Sequence, residues 1–199
     1  MKKINKQTGI FGTIGVVLLL LTLFPLSSCS KKNHDKDAPV SNLEKAFTDA
    51  GLRTLKERVQ AKDFSLPLAS TGKTQSLSGY KGKVVFLNFW TTWCTNCRAE
   101  MESLEAVYNR YRDQGLEMFT VNCLEKKADV LAFMETNGLS FPVVLDLDGQ
   151  VGTMYGIQAI PTTFILDREG KIVAHIVGYI DWDTPELNLA MEELLNSVD

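Results

Sequence analysis

Val84-Val85-Phe86-Leu87-Asn88-Phe89-Trp90 is almost continuously apolar, and only Thr91, Thr92 and Trp93 separate it from Cys94-Thr95-Asn96-Cys97. Successive side chains of a strand point to opposite faces of a sheet, so a strand apolar at nearly every position must be covered on both faces. Beyond the cysteines, Met101, Leu104, Val107, Tyr108 and Tyr111 recur with helical period. The cysteine pair therefore stands where a buried strand ends and a helix opens.

The same alternation continues downstream. Residues 116–122 read as a strand, 128–137 as a helix, and 143–145 as a strand before the turn signal Asp148-Gly149. Strand, helix, strand implies parallel pairing. Two further apolar runs, 162–166 and 171–177, flank Asp167-Arg168-Glu169-Gly170, a turn-rich tetrad that makes them an antiparallel hairpin. The sheet is thus expected to be mixed and flanked by helices, an α/β architecture. Pro185, with Asp183 and Thr184 before it and Glu186 behind, starts a last helix whose apolar side carries Leu187, Ala190, Met191, Leu194 and Leu195. Upstream, Phe64-Ser65-Leu66 and residues 74–77 form an edge hairpin around Ser70-Thr71-Gly72. Leu43, Ala46, Phe47 and Ala50 follow helical spacing, Gly51 interrupts, and Leu55 and Val59 continue as a second short turn. Residues 42–60 are accordingly expected to be a helical N-terminal extension, and 61–199 the main domain.

The N-terminus reads as an address. Lys2, Lys3 and Lys6 precede an uncharged run, 7–30, with an apolar centre at 10–24, the layout of an export signal. Leu26-Ser27-Ser28-Cys29 resembles the lipobox of bacterial lipoproteins, which implies a signal peptide over 1–28 and a lipid on the thiol of Cys29. An uncleaved membrane helix is the alternative, since roughly 17 to 25 apolar residues span a bilayer. Pro25, Ser27 and Ser28 suit a cleavage zone better than a helix end. Either way the positive charges keep their end cytoplasmic and the domain faces the oxidising side of a membrane, as part of the cell envelope. Residues 29–41, polar and aperiodic from Ser30, read as a flexible tether.

Composition excludes other classes. The formal charge of the 199 residues is −3, and the leader takes basic residues but no acid with it, so the domain carries no basic footprint for nucleic acid. Four cysteines are too few and too unevenly placed for a disulfide scaffold. A zinc site could draw at best on Cys94, Cys97, Cys123 and His175, with no second C-x-x-C and no H-x-x-x-H, and no metal is expected. No nicotinamide or flavin motif is present, so no cofactor is expected either.

A thiol attacks only as thiolate, and a free cysteine near pKa 8.5 is mostly inert at neutral pH until a positive field lowers that value. The first turn of a helix supplies such a field through its unpaired N–H groups and aligned dipoles. Cys94 is therefore read as the nucleophile. Cys97, one turn on, is placed to attack a mixed disulfide at Cys94 and release the reduced substrate, so the two form a redox-active disulfide.

The stretch Phe89-Trp90-Thr91-Thr92-Trp93-Cys94-Thr95-Asn96-Cys97-Arg98-Ala99-Glu100 resembles the thioredoxin superfamily, and more closely its TlpA/ResA-like members within the AhpC/TSA-Redoxin-like branch. The resemblance covers residues 61–198 and implies a thioredoxin-like fold with an N-terminal extension. It places Asn88 where cytosolic thioredoxins carry a buried Asp, and gives Glu100 the handling of protons near the pair, with a solvated helix-face carboxylate as the alternative. Ile160-Pro161-Thr162 matches the cis-proline loop facing the dithiol, where Ile160, Thr162 and Trp93 would meet substrate; an ordinary trans proline at a strand start is the plainer reading. The chain departs from the pattern at Asn96 and Glu102, both often proline, and Glu102 should leave the helix unkinked. Trp90 and Trp93 read as packing and a rim around Cys94, Cys123 as inert core, and His175 receives no role.

The resemblance implies a thiol:disulfide oxidoreductase that reduces disulfides of envelope proteins, for example in cytochrome c maturation, with electrons from a membrane thiol donor of the CcdA/DsbD type. A thiol oxidase, a thiol-dependent peroxidase and a tethered, redox-inert binding module are the alternatives. The peroxidase has Thr91 in the right place but Leu87 where its proline would be.

Overall fold

Every side chain from Val84 to Trp90 is buried, and this strand sets the centre of the sheet. The computed structural model describes residues 42–197; the signal, lipidation and tether readings of residues 1–41 lie outside that range. In chain order the elements are α1 (Asn42–Asp49), β1 (Arg53–Gln60), β2 (Ser65–Pro67), β3 (Thr74–Ser76), β4 (Val84–Trp90), α2 (Thr95–Tyr111), β5 (Leu116–Cys123), α3 (Lys127–Thr136), β6 (Val143–Asp146), α4 (Gln150–Met154), β7 (Thr162–Leu166), β8 (Lys171–Val177) and α5 (Pro185–Asn196).

The main sheet runs β1-β8-β7-β4-β5-β6. β4 pairs parallel with β5 and antiparallel with β7, and β5 pairs parallel with β6. The expected mixed sheet is thus present, with β7 and β8 as its antiparallel hairpin. Alternate residues of β4 feed two cores. Val84, Phe86 and Trp90 join Leu104, Val107, Met118, Leu187 and Leu194 on one face. Val85, Leu87 and Phe89 join Phe119, Val121, Val144, Val151 and Leu166 on the other. Asn88, by the same period, faces α2.

Residues 53–60 differ from the helical extension expected. They form β1, which pairs antiparallel with β8 at the sheet edge, with an irregularity between Thr54 and Val59. Most of its side chains are exposed, which is why no two-residue alternation marks it in the sequence. Only residues 42–49 of the extension are helical, and α1 packs on α5 through Leu43 and Phe47. β2 and β3 form the small hairpin expected, bridged to β6 at Leu68 and Val144. α4 is too short to show a period. α2 is continuous from Thr95 to Tyr111, consistent with Glu102 in place of proline. Among the described residues no helix is long and apolar enough to cross a membrane.

Candidate functional site

The end of β4 delivers the chain to α2, and Cys94 is the N-cap of that helix. Its sulfur accepts a hydrogen bond from the Cys97 N–H at 3.1 Å. A cysteine in this place sees the partial positive charge of the first turn, which favours thiolate over thiol. Cys94 and Cys97 are joined by a disulfide, their Cα atoms 5.2 Å apart. Cys94 keeps 8% exposure and Cys97 none, so of the pair it is Cys94 that retains contact with solvent.

The loop before β7 lies against this pair. The Ile160-Pro161 bond is cis, and the Ile160 carbonyl oxygen is 3.7 Å from Cys94 Sγ. Thr162 is buried, its hydroxyl donating to the Ala159 carbonyl at 2.7 Å, which ties the loop to itself. Trp93, 70% exposed, and Ile160 line a groove of about 300 Å³ together with Cys123 and Leu124. Trp90, by contrast, is wholly buried and tilts against Phe133. The two tryptophans therefore divide: one packs the core, the other rims the site.

Glu100 is not a solvated surface carboxylate. It is fully buried on the inner face of α2, accepting from Asn88 Nδ2 at 2.9 Å and from Trp182 Nε1 at 3.2 Å. Asn88 Nδ2 donates in addition to Thr163 Oγ1 at 2.8 Å, which links the helix to β7. Burial raises the Glu100 pKa to about 7, against the opposing pull of the Asn88 and Trp182 hydrogen bonds. Such a carboxyl can take up or release a proton near neutral pH.

Two participants were not found by sequence reasoning. Trp182 comes from the loop before α5 and packs on Phe86; nothing in the local pattern marks it. Glu125 follows β5 and binds the backbone N–H and hydroxyl of Thr92 at 2.7 and 2.5 Å; a charged residue at a strand end is too common to stand out. Cys123 is half-buried and unpaired, and burial, reinforced by Asp146, pushes its thiol up to about 12. It is not a ready nucleophile at neutral pH. His175 stacks on Phe164, ring centroids 6.0 Å apart. Among the described residues no group of three or more His, Cys, Asp or Glu is placed to hold a metal ion.

Comparison with known proteins gives a consistent picture. The AhpC/TSA family profile matches residues 58–175. The thiol-disulfide oxidoreductase ResA of Bacillus subtilis (strain 168) is 43% identical over 129 residues, 65% of this chain and 72% of that one. ResA of Geobacillus thermodenitrificans (strain NG80-2) is 45% identical over 107 residues, 54% of this chain and 62% of that one, so the chain spans less than two thirds of this relative. Among solved structures, a Chlorobium tepidum protein assigned as thiol:disulfide interchange protein DsbE superposes with a TM-score of 0.65 at 32% identity, covering 72% of this chain and all of that one. The fold is thioredoxin-like, and the chain belongs to the AhpC/TSA family of the thioredoxin superfamily as a ResA-like thiol:disulfide oxidoreductase.

Proposed function

We propose that this oxidoreductase is tethered in the cell envelope, on the extracytoplasmic side of a membrane, and reduces disulfides of other envelope proteins. Cytochrome c maturation is the use this reading favours, with electrons from a membrane thiol donor of the CcdA/DsbD type. The observation that carries it is the pairing of an N-capping, reachable Cys94 with a buried Cys97 and a carboxyl, Glu100, whose pKa is near 7.

In the reduced protein, Cys94 thiolate attacks one sulfur of the substrate disulfide. A Cys94–substrate disulfide forms, the substrate S–S bond breaks, and the departing substrate thiolate takes a proton. An extended substrate strand rests against Ile160, Pro161 and Thr162, with Trp93 at the rim. Pro161 has no N–H, so it presents no competing donor to the sulfurs. Glu100 then accepts the Cys97 thiol proton, and Cys97 attacks Cys94 Sγ. The Cys94–Cys97 bond forms as the mixed disulfide breaks. Two electrons have passed to the substrate, whose second sulfur leaves as thiolate and takes a proton from solvent, to which Glu100 returns the one it accepted. The membrane dithiol returns two electrons by the same exchange in reverse.

The direction is tested by equilibrating the Cys94/Cys97 pair with glutathione or dithiothreitol buffers. A potential near about −270 mV supports reduction, and one near about −120 mV would make the protein an oxidase instead. Cys94→Ser should abolish exchange; full activity in that variant would sink the mechanism.

A further inference from the structure

The segment between β4 and α2, residues 91–93, is short and sits against the end of β5. Thr92 and Trp93 form a tight turn that joins the two elements. Thr91 is buried but its hydroxyl has no partner. Trp93 is 70% exposed. Thr92 makes two hydrogen bonds, and both go to one carboxylate: its N–H to Glu125 Oε2 at 2.7 Å and its hydroxyl to Oε1 at 2.5 Å. The same carboxylate accepts from Asn122 Nδ2 at 2.7 Å, which fixes it to the end of β5, the strand beside β4.

The backbone that presents Glu125 is itself unusual. Leu124 has a φ of 61° and is the one non-glycine residue at positive φ among the described residues. L side chains rarely hold that conformation, and where they do it is over-determined by its surroundings. Here the Leu124 N–H donates to the Asp146 carbonyl at 2.9 Å. Gly149 leaves room for the side chain, since a Cβ there would come to 3.1 Å from Leu124 Cδ2. The bend turns the chain out of β5 so that the next side chain reaches back to Thr92.

We propose that Glu125 is a positioning residue for Cys94: its carboxylate pins the connection 91–93 to β5 and so holds the sulfur at the N-terminus of α2. The inference rests on the reading of Cys94 as nucleophile. Thiolate stabilisation by the Cys97 N–H, at 3.1 Å, depends steeply on distance and angle, so a connection free to shift weakens it. Glu125 touches no reacting atom; it acts through Thr92.

Charge and position are separable here. In Glu125→Gln the amide oxygen can still accept from Thr92 N–H and Asn122, while the amide N–H donates to the Thr92 hydroxyl, which accepts as readily as it donates. The pin survives without its charge. In Glu125→Ala it is gone. Thr92→Val removes one of the three donors and leaves the carboxylate in place.

The test follows alkylation of Cys94 by iodoacetamide in the reduced, full-length protein across roughly pH 5 to 10, with the modified cysteine identified by mass. Glu125→Ala should raise the apparent Cys94 pKa by about one unit and slow alkylation at neutral pH about tenfold. Glu125→Gln should stay within about threefold of wild type, with Thr92→Val between the two. A merely structural role would lower the melting temperature of Glu125→Ala and leave its pH profile unchanged, and that result would overturn the proposal. So would a Gln variant as impaired as the Ala variant, or both reacting faster than wild type, since charge rather than position would then be at work. If Glu125→Ala does not fold, wild-type behaviour of Thr92→Val overturns it and a graded loss supports it. Failure of the underlying reading is distinct, because a wild-type Cys94 that titrates like an ordinary thiol near about 8.5 shows it without any variant.

Discussion

At Glu100 a single side chain carries two opposed demands. Burial favours its neutral form, whereas Asn88 and Trp182 both donate to it and favour the carboxylate. Burial wins, and the pKa rises from 4.5 to about 7. The native state therefore binds more protons than the unfolded chain between those values, and stability falls as pH rises through them. The cost of ionising the buried group at alkaline pH is on the order of 3 kcal/mol by the unit-to-energy conversion. In Glu100→Gln the side chain accepts from one donor, and Asn88 Oδ1, which has no partner, can turn toward its amide. Denaturant melts at a series of pH values should show wild type losing stability between about pH 5 and 8 relative to Glu100→Gln. His175, whose pKa burial lowers, contributes a slope of the opposite sign that is common to both proteins and cancels in the difference. The same variant should flatten the pH profile of thiol exchange near neutrality. Parallel stability curves would place the titration elsewhere.

The elements show what the sequence could and could not disclose. β4 and α2 were legible because their cues are local: an apolar run, a cysteine pair, a helical period. Pro161 was legible through the resemblance, since Ile160-Pro161-Thr162 before a strand matches the family's cis-proline loop, whereas the local pattern alone reads as an ordinary trans proline. β1 was not, because an edge strand with mostly exposed side chains leaves no alternation, and Leu55 and Val59 happen to sit four apart. Trp182 and Glu125 were invisible for a different reason, since their partners lie 82 and 33 residues away and only the fold joins them. The start of α5 was read correctly from Pro185 with Asp183 and Thr184 before it and Glu186 behind, and in the structure the Thr184 hydroxyl accepts from the Leu187 N–H at 3.3 Å. Removing that cap in Thr184→Ala should cost about 1 kcal/mol. α5 packs on α1, and its buried face contributes Leu187, Met191 and Leu194 to the core around β4. The loss should therefore appear in the global unfolding transition, with the Cys94/Cys97 potential unchanged; a shifted potential would show that α5 reaches the site.

For the whole molecule, the chemistry of residues 42–197 and the address proposed for residues 1–29 are separate demands. The exchange reaction calls on Cys94, Cys97 and their supports, whereas the proposed work on envelope proteins calls for an anchor. A lipid on Cys29 would provide one: each buried methylene is worth about 0.8 kcal/mol, and two acyl chains hold a protein to a membrane where one is marginal. The proposed lipoprotein should incorporate labelled palmitate in a bacterial host, partition into detergent, and lack residues 1–28 by mass. Cys29→Ser should lose the label and remain uncleaved, while its domain, once reduced, exchanges thiols at the wild-type rate in solution. If the wild-type protein is unlabelled, retains its first 28 residues and still sediments with membranes, the uncleaved helix is the anchor instead. Detergent-free wild-type protein in the soluble fraction would remove the tether from the proposed function altogether, and with it the reason to look for a membrane electron donor.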